Sequence, residues 1–108
     1  MVRIVWFAAM TIQEARERIR TLEADTHMTS TSQIRALAAQ VYDKDDPNER
    51  DLAFLQALSE ARETWLAQLN SAKRQFGPGE IFQIVERLAT RQMEADYAKV
   101  LATYQAAE

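Results

Sequence analysis

The chain has 108 residues and a formal net charge of −3, with 47% hydrophobic and 27% charged residues. This balance is ordinary for one folded domain, and it lacks the excess of positive charge that typifies nucleic-acid-binding domains. The absence of cysteine excludes disulfides, thiolate metal sites and a cysteine nucleophile, and it is compatible with a cytoplasmic location. Abundant Ala, Leu, Glu, Gln and Arg, with only two Gly and two Pro, predict an all-α protein.

Residues 1–10 form an apolar N-terminal extension that contains Trp6 and Phe7 and one positive charge. Three interpretations are open: a signal peptide with a short apolar part, an upstream start before a natural start at Met10, or a segment that packs onto the domain. If Trp6 and Phe7 do not pack, they form an exposed adhesive patch. Residues 11–108 are predicted to form a single helical-bundle domain.

Two short helices are predicted after the extension. Thr11, with Glu14 three residues later, is a capping-box pattern that predicts a helix over about 12–24. A Ser/Thr-rich connector follows, in which side-chain hydroxyls compete with helical hydrogen bonds. Ser30 is the predicted cap of a second short helix over about 31–42.

A longer helix is predicted to begin after an acidic linker. Asp46 has the side chain of an N-cap, Pro47 suits the first helical position, and Glu49 lies where it can bond back to the cap. These signals predict a helix over about 47–76. Its apolar positions recur every three or four residues and form one stripe: Leu55, Leu58, Trp65, Leu69, Ala72 and Phe76.

A clear stop signal separates this helix from the last one. Gly77 suits a helix C-terminus and Pro78 cannot continue the helix, so a second long helix is predicted over about 80–106. Because the connection is short, the two helices should pack as antiparallel neighbours. The predicted architecture is therefore a small helical bundle built on a long antiparallel hairpin and covered by the two short helices. An extended coiled coil is disfavoured because the apolar stripe is matched within the chain.

One polar layer interrupts the apolar match between the predicted hairpin arms. It contains Arg62, Trp65, Arg91 and Gln92. These side chains could line an anion pocket, since arginine donates two parallel hydrogen bonds to carboxylates. Alternatively, the arginines extend outward and pair with nearby acids, or the layer fixes the register of the hairpin.

No pattern in the sequence predicts a catalytic residue, a cofactor or a metal. His27 is the single histidine, and Ala24 replaces the glutamate that a di-iron motif requires three residues earlier. The acidic stretch 43–47 lacks the central glycine of a calcium loop, and Phe54 stands at the position of its closing glutamate. There is also no glycine-rich phosphate loop.

A DNA-binding regulator is one alternative, with a degenerate helix-turn-helix over about 32–58. Its turn would be acidic and its recognition helix would begin with Glu49 and Asp51, which DNA phosphates repel. Nucleic acid is therefore a disfavoured partner.

Part of the chain also resembles the small all-helical chorismate mutases. The segments that carry the resemblance are Arg16 with Ile19 and Leu22, Asp46-Pro47 with Glu49-Arg50, and Ile81-Phe82 with Gln92. The resemblance implies a helical enzyme that binds a dicarboxylate through polar side chains. The chain departs from the family in the reversed order of Glu49-Arg50, in a Gln92 one residue out of step, in a first helix broken at 26–32, and in a segment between the last two motifs that is about two turns too long.

The preferred interpretation is a non-enzymatic protein-protein interaction module: an adaptor, inhibitor or assembly factor of the kind encoded by phages and mobile elements. Aromatic residues and methionine are typical interface anchors, and the expected partner is another protein or a second copy of the chain. No apolar run is long enough to span a membrane. The sequence leaves open which candidates are core and which are interface: Trp6, Phe7, Phe54, Phe82, Met93, Tyr97 and Tyr104.

Overall fold

The computed structural model describes residues 10–24 and 29–106, and within these ranges it contains four helices and no strand. The two short helices are α1 (Ile12–Glu23) and α2 (Thr31–Tyr42), and the two long ones are α3 (Glu49–Phe76) and α4 (Glu80–Ala106). The predicted all-α bundle is confirmed. Trp6, Phe7 and His27 lie outside the described residues.

The long helices pack against each other along their length, and this is the most extensive contact in the bundle. Two hydrogen bonds connect the arms, one from Trp65 to Thr90 and one from Tyr104 to Asp51. Asp51 precedes Trp65 on α3 by as many residues as Tyr104 follows Thr90 on α4, which is the register of an antiparallel hairpin. The short helix α1 lies mainly on α4, whereas α2 contacts both long helices.

The connection between α3 and α4 follows the stop signal in the sequence. Gly77 has φ 67° and ψ −176°, a backbone conformation that is accessible almost only to glycine. Its N–H donates to the carbonyl oxygen of Lys73 at 3.0 Å, which closes the last turn of α3. Pro78 then prevents the helix from continuing. The predicted end of the first long helix is therefore confirmed.

The start of α3 differs from the prediction. Asn48, not Asp46, is the N-cap, and the helix begins at Glu49 rather than at position 47. The Asn48 Oδ1 atom accepts from the backbone N–H of Asp51 at 2.8 Å, and Asp51 Oδ2 accepts from the Asn48 N–H at 3.1 Å. This reciprocal capping box satisfies two backbone donors and replaces the one expected for Glu49.

The caps of the short helices agree with the sequence prediction. Ser30 and Gln33 form a complete capping box at the start of α2. At α1, the Thr11 Oγ1 atom accepts from the backbone N–H of Glu14 at 3.1 Å. These caps fix where each short helix begins and hence which of its faces meets the hairpin.

Among the described residues, the core consists of three clusters of buried side chains. The large cluster joins α2 to the open end of the hairpin and contains Ile34, Val41, Phe54, Leu58, Met93, Tyr97, Leu101 and Tyr104. The turn cluster, between the arms near Gly77, contains Ala72, Val85 and Ala89. The α1 cluster contains Ala15, Ile19 and Leu88. The short helices thus cover opposite halves of the hairpin, and each depends on a different cluster.

Candidate functional site

Most of the aromatic and methionine candidates from the sequence lie in the core. Phe54, Met93, Tyr97 and Tyr104 are between 2% and 7% exposed and belong to the large cluster. Phe82 is partly buried and packs against the turn cluster. Of the two roles that the sequence left open, core or interface, the four buried side chains take the core position, because α2 and the opposite hairpin arm pack against them. A contact surface therefore consists of other residues, or of the small exposed parts of these side chains.

Most side chains of the polar layer predicted between the arms bond to residues outside the layer. Trp65 donates its indole N–H to Thr90 Oγ1 at 3.0 Å, and Gln92 donates to Asp96 Oδ1 at 3.1 Å. Arg91 bonds to acidic side chains, as described below, while Arg62 is exposed. Three of the four residues thus bond outside the set, so an anion site between the arms is not supported. The Trp65 to Thr90 bond is the kind of polar contact that fixes helix register.

Arg91 takes part in an ion-pair network that joins α1 to α4. Glu23 accepts from Arg87 at 2.6 and 3.1 Å and from Arg91 Nε at 2.8 Å. Arg91 also donates to Glu94 at 2.6 Å, one of the outward pairings expected from the sequence. The hydrogen bonds from Arg87 and then Arg91 lower the pKa of Glu23, and the bond to Glu23 is the main cause of the raised pKa of Arg91.

The network borders a charged cleft of about 550 Å³ between α1 and α4, also lined by Arg16, Arg20 and Glu80. Arg16 pairs with Glu80 at 3.4 Å, and both side chains are more than half exposed. Because Glu23 and Glu80 already neutralise several of the arginines, the cleft offers little net positive charge to an incoming anion. The ion pairs along the cleft connect α1 to α4, and the cleft itself does not provide a clear binding site.

A different opening, the hairpin groove, lies between α3 and α4 near the end opposite Gly77. It has a volume of about 350 Å³, and neither short helix contributes a lining residue. The buried Phe54 and Tyr104 form its floor, and small or aliphatic side chains form its walls. The described residues that line it are Arg50, Ala53, Phe54, Ala57, Lys99, Val100, Thr103 and Tyr104.

The two aromatic rings that form the floor of the hairpin groove pack against each other. The Phe54 and Tyr104 rings stack with centroids 4.3 Å apart and planes inclined by 22°. The Arg50 guanidinium lies 4.7 Å from the centroid of the Tyr104 ring, within the range of a cation–π interaction. The guanidinium therefore lies beside the aromatic floor of the groove, and Arg50 is among the lining residues.

Asp51 anchors Tyr104 from below. Its side chain is 1% exposed and accepts from the Tyr104 hydroxyl at 2.5 Å and from Lys44 Nζ at 3.0 and 3.1 Å. The Tyr104 hydrogen bond, followed by those of Lys44 and the Asn48 N–H, lowers the pKa of Asp51 to about 2, although burial opposes the shift. The hydrogen bond between Lys44 and Asp51 also raises the pKa of Lys44. Asp51 therefore remains ionised and joins the linker before α3 to the last turns of α4.

The sequence prediction missed the groove walls and the role of Asp51. Ala53 and Ala57 are ordinary helix formers and give no signal of a depression until the opposite arm is placed beside them. In the sequence analysis, Asp51 is only one of two negative charges near the start of a helix, which DNA phosphates repel. The signal that indicates more is its position three residues after Asn48, which is the spacing of a capping box.

The segments that resemble chorismate mutases do not converge in the monomer. Arg16 contacts Glu80 at the start of α4, whereas Arg50 lies over Tyr104 near the end of α4. At about 1.5 Å per helical residue, these ends are roughly 36 Å apart, too far for one small substrate. The helix-turn-helix alternative would use the first turn of α3 to read DNA. In the structure, Asp51 in that turn bonds to Asn48 and to Tyr104 within the protein.

Comparison of the chain with protein-family models, with characterised proteins and with solved structures finds no match. None of the helices in the described ranges is long and apolar enough to cross a membrane. In those same ranges, no group of three or more His, Cys, Asp or Glu side chains is arranged to hold a metal ion. Any statement about function therefore depends on the chemistry of the surfaces described above.

Proposed function

We propose that the protein is a non-enzymatic interaction module that binds an amphipathic, acidic helix of another protein in the hairpin groove. The observation that carries this proposal is the combination of an apolar floor, walls of small side chains and two cations, Arg50 and Lys99, among the lining residues. Adaptors, inhibitors and assembly factors can all act by this mode of binding.

The shape of the groove favours a helix as its occupant. Ala53 and Ala57 are one helical turn apart, and their short side chains leave a depression along α3. Val100 and Thr103 form the facing wall on α4. Side chains that recur at three- and four-residue spacing on a partner helix fit between such walls, as in other helix-in-groove complexes.

The charge of the lining favours an acidic partner. Among the described residues of the lining, the side chains with a permanent charge are those of Arg50 and Lys99, and both are positive. A symmetric dimer through this groove would place the same cations of two copies near one another, which costs binding energy. Acidic residues beside the apolar face of a foreign helix would instead complement both cations, so a different protein is favoured over a second copy.

The lining also supports a binding role over a catalytic one. Its described residues include no carboxylate or histidine, and their hydroxyls belong to Thr103 and Tyr104. The Tyr104 hydroxyl is already bonded to the buried Asp51. Such a surface can recognise a ligand by shape and charge, but it offers no evident general base for chemistry at the groove.

A displayed library of helical peptides, selected against the full chain, tests the proposal. We expect enriched peptides to combine an apolar stripe with acidic residues. Ala53→Arg should abolish their binding because the new side chain fills the groove from an exposed position. Lys99→Glu should weaken binding by roughly tenfold or more, since an attractive contact becomes repulsive.

Lys73→Glu is the matched control, because Lys73 is exposed on α3 and does not line the groove. It should leave the affinity unchanged. Enrichment of basic peptides, or equal affinity for the original chain and Ala53→Arg, would contradict the proposal.

A further inference from the structure

The two cations that line the hairpin groove belong to different arms of the hairpin. Arg50 lies in the first turn of α3, and Lys99 lies in the second half of α4. The Arg50 guanidinium is beside the Tyr104 ring, which places this charge toward the open end of the hairpin. Each wall of the groove therefore carries one positive charge.

The register of the hairpin gives the separation of these two charges along the groove. The bond between Tyr104 and Asp51 fixes one level of the two arms, which run in opposite directions. Lys99 precedes Tyr104 by five residues, so it lies level with the residue five positions after Asp51. That residue is Gln56, which follows Arg50 by six positions. At about 1.5 Å per helical residue, the backbone positions of the two cations are offset by roughly 9 Å, diagonally across the groove.

We propose that the hairpin groove selects a partner helix with two acidic residues about five or six positions apart, one on each side of its apolar stripe. This inference rests on the proposed function and adds the spacing that the partner must have. In an α-helix, residues at such spacings are about 7.5–9 Å apart along the axis and about 120–140° apart around it. These values match the offset of Arg50 and Lys99 and their positions on opposite walls.

Other spacings of the two acidic residues fit the groove less well. Residues four or seven positions apart lie on the same side of a helix, so both carboxylates would face the same arm. Residues three positions apart advance by only about 4.5 Å, half of the offset between the cations. In each case one cation is left without a carboxylate. The groove therefore discriminates by the arrangement of the acidic residues and not by their number.

Synthetic helical peptides of identical composition test the inference. Each carries the same leucine stripe and two glutamates, placed on opposite sides of the stripe at i, i+5 or i, i+6, or on one side at i, i+4 or i, i+7. A hydrocarbon staple on the face away from the groove keeps their helix content equal. Fluorescence anisotropy with the full chain at low salt should show the better opposite-side peptide binding roughly threefold or more tighter than either same-side peptide, the scale of one exposed ion pair. This advantage should shrink at high salt, because salt screens exposed charges.

Lys99→Gln should remove the advantage, because only the α3 wall of the groove then carries a charge. Lys73→Gln is the matched control: Lys73 is exposed on α3 and does not line the groove, so the advantage should persist. If same-side peptides bind as tightly as opposite-side ones while Ala53→Arg still blocks them all, the spacing is overturned and the proposed function stands. If no peptide binds, or if Ala53→Arg blocks none of them, the proposed function is overturned together with this inference.

Discussion

Replacing Leu88 with alanine tests how α1 is attached to the hairpin. Leu88 is 0% exposed and packs with Ala15 and Ile19 of α1. Loss of three methylene-sized groups removes roughly 2.4 kcal/mol of burial free energy at about 0.8 kcal/mol each. A cavity of up to roughly 80 Å³, at about 24 cal/mol per Å³, would add about 2 kcal/mol. Because α1 is short and lies mainly on α4, it can move inward, so we expect about 2.5–3.5 kcal/mol in total.

Denaturant unfolding followed by circular dichroism measures this loss, and Tm should fall by roughly 10–25 °C for a domain of this size. Amide hydrogen exchange gives a sharper test: protection should fall more in α1 than in α3, since α1 opens when its main anchor is lost. Leu66→Ala is the control, and at this exposed position the change should stay within about 0.5 kcal/mol. A cost for Leu88→Ala below about 1 kcal/mol, or an equal loss of protection in α1 and α3, would refute the reasoning.

Three further predictions concern the ends and the middle of the hairpin. The ionised Asp51 stabilises the fold above its ordinary pKa of 3.8, and this contribution is lost as pH falls through its folded value of about 2. Asp51→Asn should therefore have a lower free energy of unfolding than the original chain at neutral pH. Unfolding curves at several pH values should show this difference in stability shrinking as the pH falls from 3.8 to about 2. Gly77→Ala should cost about 1–3 kcal/mol in the same assay, because a side chain disfavours the φ of 67° even though no atom lies within 4 Å of the new Cβ. Thr90→Val should cost about 1–3 kcal/mol and alter the Trp65 emission, since the indole N–H loses its acceptor; unchanged stability and emission would remove this bond from the account.

The hairpin could be predicted from the sequence because its signals are local. Gly77 and Pro78 stop a helix through their own backbone properties, whichever residues surround them. The apolar stripe of each arm likewise depends only on the helical repeat. For the same reason, the predicted cap at Ser30 is confirmed: an N-cap depends on the residue type at one position and on bonds to its near neighbours, here Gln33.

The start of α3 could not be fixed in this way, because Asp46 and Asn48 are both good caps. The choice depends on Asp51, which bonds to Tyr104 on the other arm, 53 residues away in sequence. Long-range contacts of this kind are invisible to a local pattern. The partner of Arg91 was missed in part for the same reason: Glu23 lies on a different helix whose position against α4 follows from packing.

The bond between Tyr104 and Asp51 also affects the affinity and the association rate expected for the proposed partner helix in the hairpin groove. Tyr104 is part of the groove floor, and the buried carboxylate already holds its ring in place before any ligand arrives. A preorganised surface loses little side-chain entropy on binding, so more of the contact energy is retained as affinity. Association of the proposed acidic helix should then be limited by encounter and orientation, and its rate should rise at low salt because Arg50 and Lys99 are positively charged. Loosening the Tyr104 anchor should weaken such binding even though no contacting atom of the ligand has changed.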